Sequence, residues 1–265
     1  MVRLSRTVRF SINPDARSQG CNGFGGTPAI DGLGRYYELD VTCIGSPTPE
    51  TGYLIDIRQI DRVVRSTVIP IIAEACSLAP HTPAAFVMPS VMEALSESGL
   101  RPIFAAARWK LTPYHSVEME RARPNRVTLR QRFDLAASHR LHSPALSDDE
   151  NRATFGRCNN PNGHGHNYQV EVAVAFPLSQ TTSPPPTYRI EEVVDQVIIR
   201  PFDHKNLNLD TPEFADGSGV IPSVENIARV FFERLSSPLA DALDGGELAS
   251  VTVWETDRTW CTFPA

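Results

Sequence analysis

Residues 168–176 read YQVEVAVAF. Tyr168, Val170, Val172, Val174 and Phe176 share one parity, and Gln169, Glu171, Ala173 and Ala175 share the other. This period-two pattern predicts a half-buried strand. Downstream, the turn formers PLSQTTSPPPT (177–187) give way to Ile190, Val193, Val194, Val197 and Ile198. Their i, i+3, i+4, i+7, i+8 spacing predicts a helix with one apolar face. Pro222-Ser223-Val224 then opens a second helix, buried through Val224, Ile227, Ala228, Phe231 and Leu235, and Val251–Trp254 predicts a closing strand. Upstream, Val127, Leu129, Phe133 and Leu135 share parity in an opening strand.

The same order occurs earlier in the chain. Leu4, Val8, Phe10 and Ile12 alternate, and YELDVTCI (37–44) does so again, followed by GSPTPETG (45–52). Ile57, Ile60, Val63, Val64 and Val68 form a helical stripe. Pro89-Ser90-Val91 echoes Pro222-Ser223-Val224, with Ser90 and Glu93 spaced as a capping box. A last strand is expected near Ile103–Leu111. Strand, strand, helix, helix, strand, with room for a fourth strand, predicts an α+β fold in each half: an antiparallel sheet with two helices on one face. The polar segment ERARPNR (120–126) separates units at 1–124 and 125–265.

Composition excludes several function classes. The 265 residues are 41% hydrophobic and 21% charged, so a sizeable core is expected rather than disorder. A formal charge of −6 argues against non-specific nucleic-acid binding, which needs excess Lys and Arg. No apolar run approaches the ~20 residues of a membrane helix, and MVRLSRTVRFSINPD lacks the apolar core of a secretory signal. Five irregularly spaced cysteines do not form a disulfide framework, and a reduced, cytoplasmic setting is expected. Cys21, Cys43, Cys76 and Cys261 read as small hydrophobes.

Chemistry concentrates in the second half. His164 and His166 stand two apart, on one face of an extended chain. His139 shares the parity of Phe133 and Leu135. Three imidazoles from neighbouring strands suit Zn²⁺ and leave a fourth position open, as catalytic sites do. Gly163 and Gly165 leave room beside the imidazoles for a ligand. Cys158 sits in the polar run GRCNNPNG, where a nearby metal would favour its thiolate; it is either a fourth ligand or a base. In PFDHKN, Asp203 can bias the imidazole of His204 for proton transfer. Glu255, in phase with Val251 and Val253, points inward and needs a partner. That partner is either a salt-bridging cation or the N–H groups of a flat heterocycle.

The segments FDLAASHRL, GRCNNPNGHGHNYQVEV, RPFDHKNLNLDTPEFADG, PSVENIA and VWETD closely resemble the 6-pyruvoyl-tetrahydropterin synthase family. The resemblance implies the T-fold, here as two tandem units, and a lyase that takes triphosphate from 7,8-dihydroneopterin triphosphate. It implies that His139, His164 and His166 hold zinc. Cys158 would accept a proton, Asp203 and His204 would relay it, and Glu255 would anchor the pterin ring. The sequence does not identify the triphosphate contacts; Arg140 and Lys205 are named only as candidates. A related branch makes 6-carboxy-tetrahydropterin on the route to 7-deazaguanine nucleosides. The five residues between Cys158 and His164 favour the pyruvoyl type.

The chain also departs from the family pattern. The Thr-Gly-Met-Val-x-Asp segment expected after the second strand is replaced by the proline-rich loop and TYRIEEVVD. In the first half Gly32-Leu33-Gly34-Arg35-Tyr36 stands in place of Gly163-His164-Gly165-His166-Asn167. The first half is therefore expected to be a degenerate, structural copy without zinc. Family sites are completed by neighbouring subunits, so a homotrimer is expected, with one ring of first halves stacked on one ring of second halves. A non-catalytic pterin-binding protein is the alternative from a different functional class.

Overall fold

The computed structural model describes residues 1–14, 24–178 and 187–265. The chain divides into two compact units, one of Met1–Arg130 with a short stretch beginning at Phe176, the other of Gln131–Ala175 with the C-terminal part through Ala265. Most of the proline-rich loop, and Cys21, lie outside the described residues.

In the first unit, β1 (Val2–Ile12), β2 (Arg35–Gly45), β3 (Phe104–Lys110) and β4 (His115–Glu120) pair antiparallel in chain order. Leu39, Val41, Cys43, Val8 and Phe10 are buried, as the alternation predicts. The helical layer comprises α1 (Ile57–Val63), α2 (Ile69–Leu78) and α3 (Ala84–Glu97).

In the second unit, β5 (Arg126–His139), β6 (His164–Pro177), β8 (Glu247–Thr256) and β9 (Thr259–Phe263) are neighbours in that order. A two-residue strand, β7 (Lys205–Asn206), runs parallel to β5 opposite Ala137 and Ser138. The main helices are α5 (Thr187–Val194) and α8 (Val224–Ala242), with short α6 (Arg200–Phe202) and α7 (Leu207–Asp210) between them. Ser223 caps α8 by accepting the Asn226 N–H at 3.4 Å. Val224, Ile227, Ala228, Phe231 and Leu235 are buried as expected, and the stripe continues to Leu239.

Two expectations are corrected. Ser90 does not start a helix: α3 begins six residues earlier, and Pro89 lies inside it. The Ala-Ala-Phe-Val-Met run before Pro89 buries Ala85, Val87 and Met88, which outweighs the hydrogen bond that proline cannot make. The second correction concerns the stripes. The fully buried positions are Ile60, Val64, Val68 and Ile72 in one unit and Ile190, Val194, Ile198 and Phe202 in the other, while Val63, Val193 and Val197 are only half-buried. A strict spacing of four overshoots an α-helical turn by ~40° per step, enough to rotate the fourth residue off the face. A π-helical segment absorbs the overshoot in each unit, at Val64–Val68 and at Asp195–Ile199. Each is followed by a proline early in the next helix, Pro70 and Pro201.

One further helix, α4 (Asp148–Phe155), has no apolar period. Ser147 and Glu150 form a reciprocal capping box at its start. Its polar composition hides it from a search for apolar stripes.

Candidate active site

β5 ends at His139, and its neighbour β6 starts at His164. The pairing of neighbouring strands therefore brings His139, His164 and His166 together across the connection that carries α4. Their ring centroids lie 4.6, 5.1 and 4.8 Å apart in the three pairings. Nε2 of His139 is 3.1 Å from Nε2 of His164. Gly163 permits the entry to β6: its φ is +71°, and a side chain there would press on the His139 carbonyl. Its role is thus backbone geometry rather than room for a ligand.

His139 is fully buried, and its Nδ1 lies 2.7 Å from the carbonyl oxygen of Pro222. The ring N–H donates there, which leaves the Nε2 lone pair facing the other two rings. Burial pushes the His139 pKa down from 6.5 to about 4; His164 and His166 add to the drop, against the Pro222 hydrogen bond. Burial also lowers the pKa of His166, opposed by Glu255 and reinforced by His164. Neutral imidazoles are metal ligands, and protonated ones are not.

These residues fit a metal ion. Nδ1 of His164 and Nε2 of His166 are buried and have no hydrogen-bond partner. Three ligand nitrogens lie within 4.8 Å of one another, the one such histidine group among the described residues. The donor set, three imidazoles, is of the kind that zinc accepts.

Glu255 joins this cluster, with Oε1 3.5 Å from Nε2 of both His139 and His166. Its carboxylate points inward, as its strand parity predicts. Tyr168, buried below His139 and His166, has its phenol pKa raised by burial, then by Glu255 and Cys158.

Cys158 sits in a 3₁₀ turn, Gly156–Asn159, after α4. Its carbonyl accepts the Leu141 N–H at 2.8 Å, and Asn159 Nδ2 donates to the Leu141 carbonyl at 2.7 Å. These bonds tie the turn to the chain leaving β5. Cys158 and His164 line the same cavity, of about 770 Å³.

Asp203 and His204 line a different cavity, of about 710 Å³, with Tyr168, Gln169 and Trp254. Asp203 Oδ1 accepts the Ala136 N–H at 2.8 Å, and its Oδ2 lies 2.7 Å from Nδ1 of His204. The His204 N–H donates to the Ala136 carbonyl at 2.6 Å. Burial opposes ionisation of Asp203, but the Ala136 and His204 hydrogen bonds outweigh it and hold its pKa below the usual value. His204 has φ +56°, alone among the described non-glycine residues in that region, and its ring is exposed. No hydrogen bond links the pair to Cys158 among the described residues. The parallel pairing of β7 with β5 fixes this geometry, and Asn208 reinforces it through bonds to the backbone N–H and C=O of Arg140.

Pro222 and Tyr168 were not identified as site residues from sequence. A backbone carbonyl carries no sequence signal. Tyr168 was visible only as the first apolar position of its strand. In the first unit the described residues hold no histidine cluster, and Leu33 and Arg35 in the corresponding segment are exposed.

A model of the family described as 6-pyruvoyl tetrahydropterin synthase matches residues 128–265. Human 6-pyruvoyl tetrahydrobiopterin synthase is 42% identical over 129 residues, spanning 48% of this chain and 84% of that protein. The Dictyostelium discoideum protein of the same name is 30% identical over 138 residues, spanning 52% of this chain and 95% of that protein. A solved structure of Caenorhabditis elegans 6-pyruvoyl tetrahydropterin synthase aligns at 34% identity and a TM-score of 0.47, covering 52% of this chain and 94% of that one. No described helix is long and apolar enough to cross a membrane.

Proposed function

Because this chain belongs to the 6-pyruvoyl tetrahydropterin synthase family, we propose that residues 125–265 form a zinc-dependent lyase unit. It converts 7,8-dihydroneopterin triphosphate to 6-pyruvoyl-tetrahydropterin with release of triphosphate. The carrying observation is the set of three converging imidazoles beside a cavity shared by Cys158 and His164.

His139, His164 and His166 hold the zinc, which when bound polarises the oxygens of the substrate side chain. His139 is kept in the binding tautomer by Pro222. Cys158 takes the carbon-bound proton on its sulfur. Glu255 accepts hydrogen bonds from the pterin ring. Asp203 orients His204, which exchanges the proton with Cys158. No external redox cofactor takes part, because the side chain is isomerised internally.

Within one chain the pair and the thiol face different cavities. The exposed His204 ring is thus available to the Cys158 of a neighbouring chain, which supports the trimer expected from sequence. The first unit, 1–124, acts as a degenerate structural copy. The matching π-helical segments, each followed by a proline, support a tandem duplication. Mass photometry showing a stable monomer would count against this assembly.

Incubation of zinc-loaded protein with 7,8-dihydroneopterin triphosphate, followed by mass spectrometry, tests the reading. A pyruvoyl product is expected. A carboxy product would shift the protein to the neighbouring branch, and intact substrate would defeat the lyase reading in favour of pterin binding alone.

A further inference from the structure

The cavity shared by Cys158 and His164 has a charge opposite to that of the chain. Arg140, Arg152 and Arg157 line it against one carboxylate, Asp148, in a protein of formal charge −6. The three guanidiniums come from three local structures: the residue that follows β5, the middle of α4 and the 3₁₀ turn. Such convergence is not a solvated helix face, where like charges would repel without return.

The cations are also held differently. The Arg140 Nε donates to the Asn159 carbonyl at 3.2 Å, and its other end approaches Nδ1 of His142 at 3.3 Å. Its fork is therefore braced by the same turn that carries Cys158. Arg152 pairs with Asp149, an exposed carboxylate whose ion pair is weak in water. Arg157 is exposed, and among the described residues no ion pair or hydrogen bond engages its guanidinium. Lys205, the other candidate read from sequence, is exposed on β7 and does not line this cavity.

We propose that Arg140, Arg152 and Arg157 form a polyphosphate cradle that binds the triphosphate of the substrate, with Arg157 as its main free donor. This rests on the lyase reading for the identity of the substrate, but the binding chemistry stands by itself. Planar guanidiniums meet phosphate oxygens through two parallel hydrogen bonds, which a lysine cannot reproduce. The same three cations remain beside the oxygen that carries away the electron pair when the carbon–oxygen bond to triphosphate breaks. Arg140 acts as the braced, rigid contact and Arg152 as an outer one that exchanges Asp149 for phosphate.

The test is calorimetric titration of the full-length, metal-loaded chain with inorganic triphosphate, in parallel with steady-state kinetics. Arg157→Ala should weaken inorganic triphosphate binding by about tenfold or more and raise KM in step. Arg157→Lys should recover only part of the loss, and Arg152→Ala should show a smaller one. Arg229→Ala, on α8 and paired with Glu233, should bind as wild type. Both arginine positions are exposed, so folding should survive, and circular dichroism checks this. Unchanged affinity and KM in both variants would overturn the cradle, even if wild type releases triphosphate from its substrate. Arginine-dependent binding by a protein that leaves the substrate intact would uphold the cradle and defeat the lyase reading instead.

Discussion

The Nδ1 of His139 and the carbonyl oxygen of Pro222 are 2.7 Å apart. This contact joins the end of β5 to the residue before the cap of α8. It fixes which nitrogen of a fully buried imidazole carries the proton, and so which lone pair faces His164 and His166. The three-histidine cluster is thus held by the helix layer as well as by the sheet.

Metal content should follow these rings. His164→Ala should lower bound zinc from about one per chain to a small fraction of that, with the far-ultraviolet circular dichroism retained. Elemental analysis after dialysis measures it. Zinc retained at the wild-type level would remove His164 from the ligand set.

Cys158→Ala should lower kcat by about 10²-fold or more, because a positioned base contributes on that scale. Bound zinc and pterin should remain near wild type. A parallel loss of metal would instead identify the thiol as a ligand.

His204 occupies a left-handed backbone conformation that glycine adopts freely and β-branched residues resist. His204→Val should therefore be less stable than His204→Gly by about 1–3 kcal/mol. Both should lose turnover. Urea unfolding of the two variants separates the backbone effect from the chemical one.

Asp203 gives a pH signature. Its folded pKa lies below the ordinary 3.8, so its stabilising contribution is present above that value and lost as pH falls through the folded one. Asp203→Asn should lower Tm at neutral pH, and the gap to wild type should close at acidic pH. A gap independent of pH would show that the carboxylate charge is not what stabilises the loop.

Ile198, fully buried in a π-helical segment, should cost about 2–5 kcal/mol when changed to Ala. Val197→Ala, one position away and half-buried, should cost clearly less. Equal losses would contradict the four-residue register.

The strand alternation from Tyr168 to Phe176, the buried face of α8 and the His139, His164 and His166 set that clusters in the structure were legible because each is a local pattern of side chains. The four-residue register Ile60, Val64, Val68, Ile72 was also written in the sequence. It is also compatible with an ordinary α-helical stripe, because the first-half valines Val63 and Val64 permit both spacings. The capping box before α4 stood in plain view, but a polar helix leaves no apolar period to search for.

The amino-acid sequence alone determined which side chains alternate and which can ligate a metal. Tertiary structure alone decided that the Pro222 carbonyl sets the His139 tautomer, that Glu255 meets two imidazoles, and that the thiol and the Asp203–His204 pair open onto separate cavities. The reason is physical: side-chain chemistry and periodicity are properties of neighbours along the chain. Hydrogen bonds to backbone carbonyls, and the pairing of β7 with β5, depend on which distant segments the packed core brings within 3 Å.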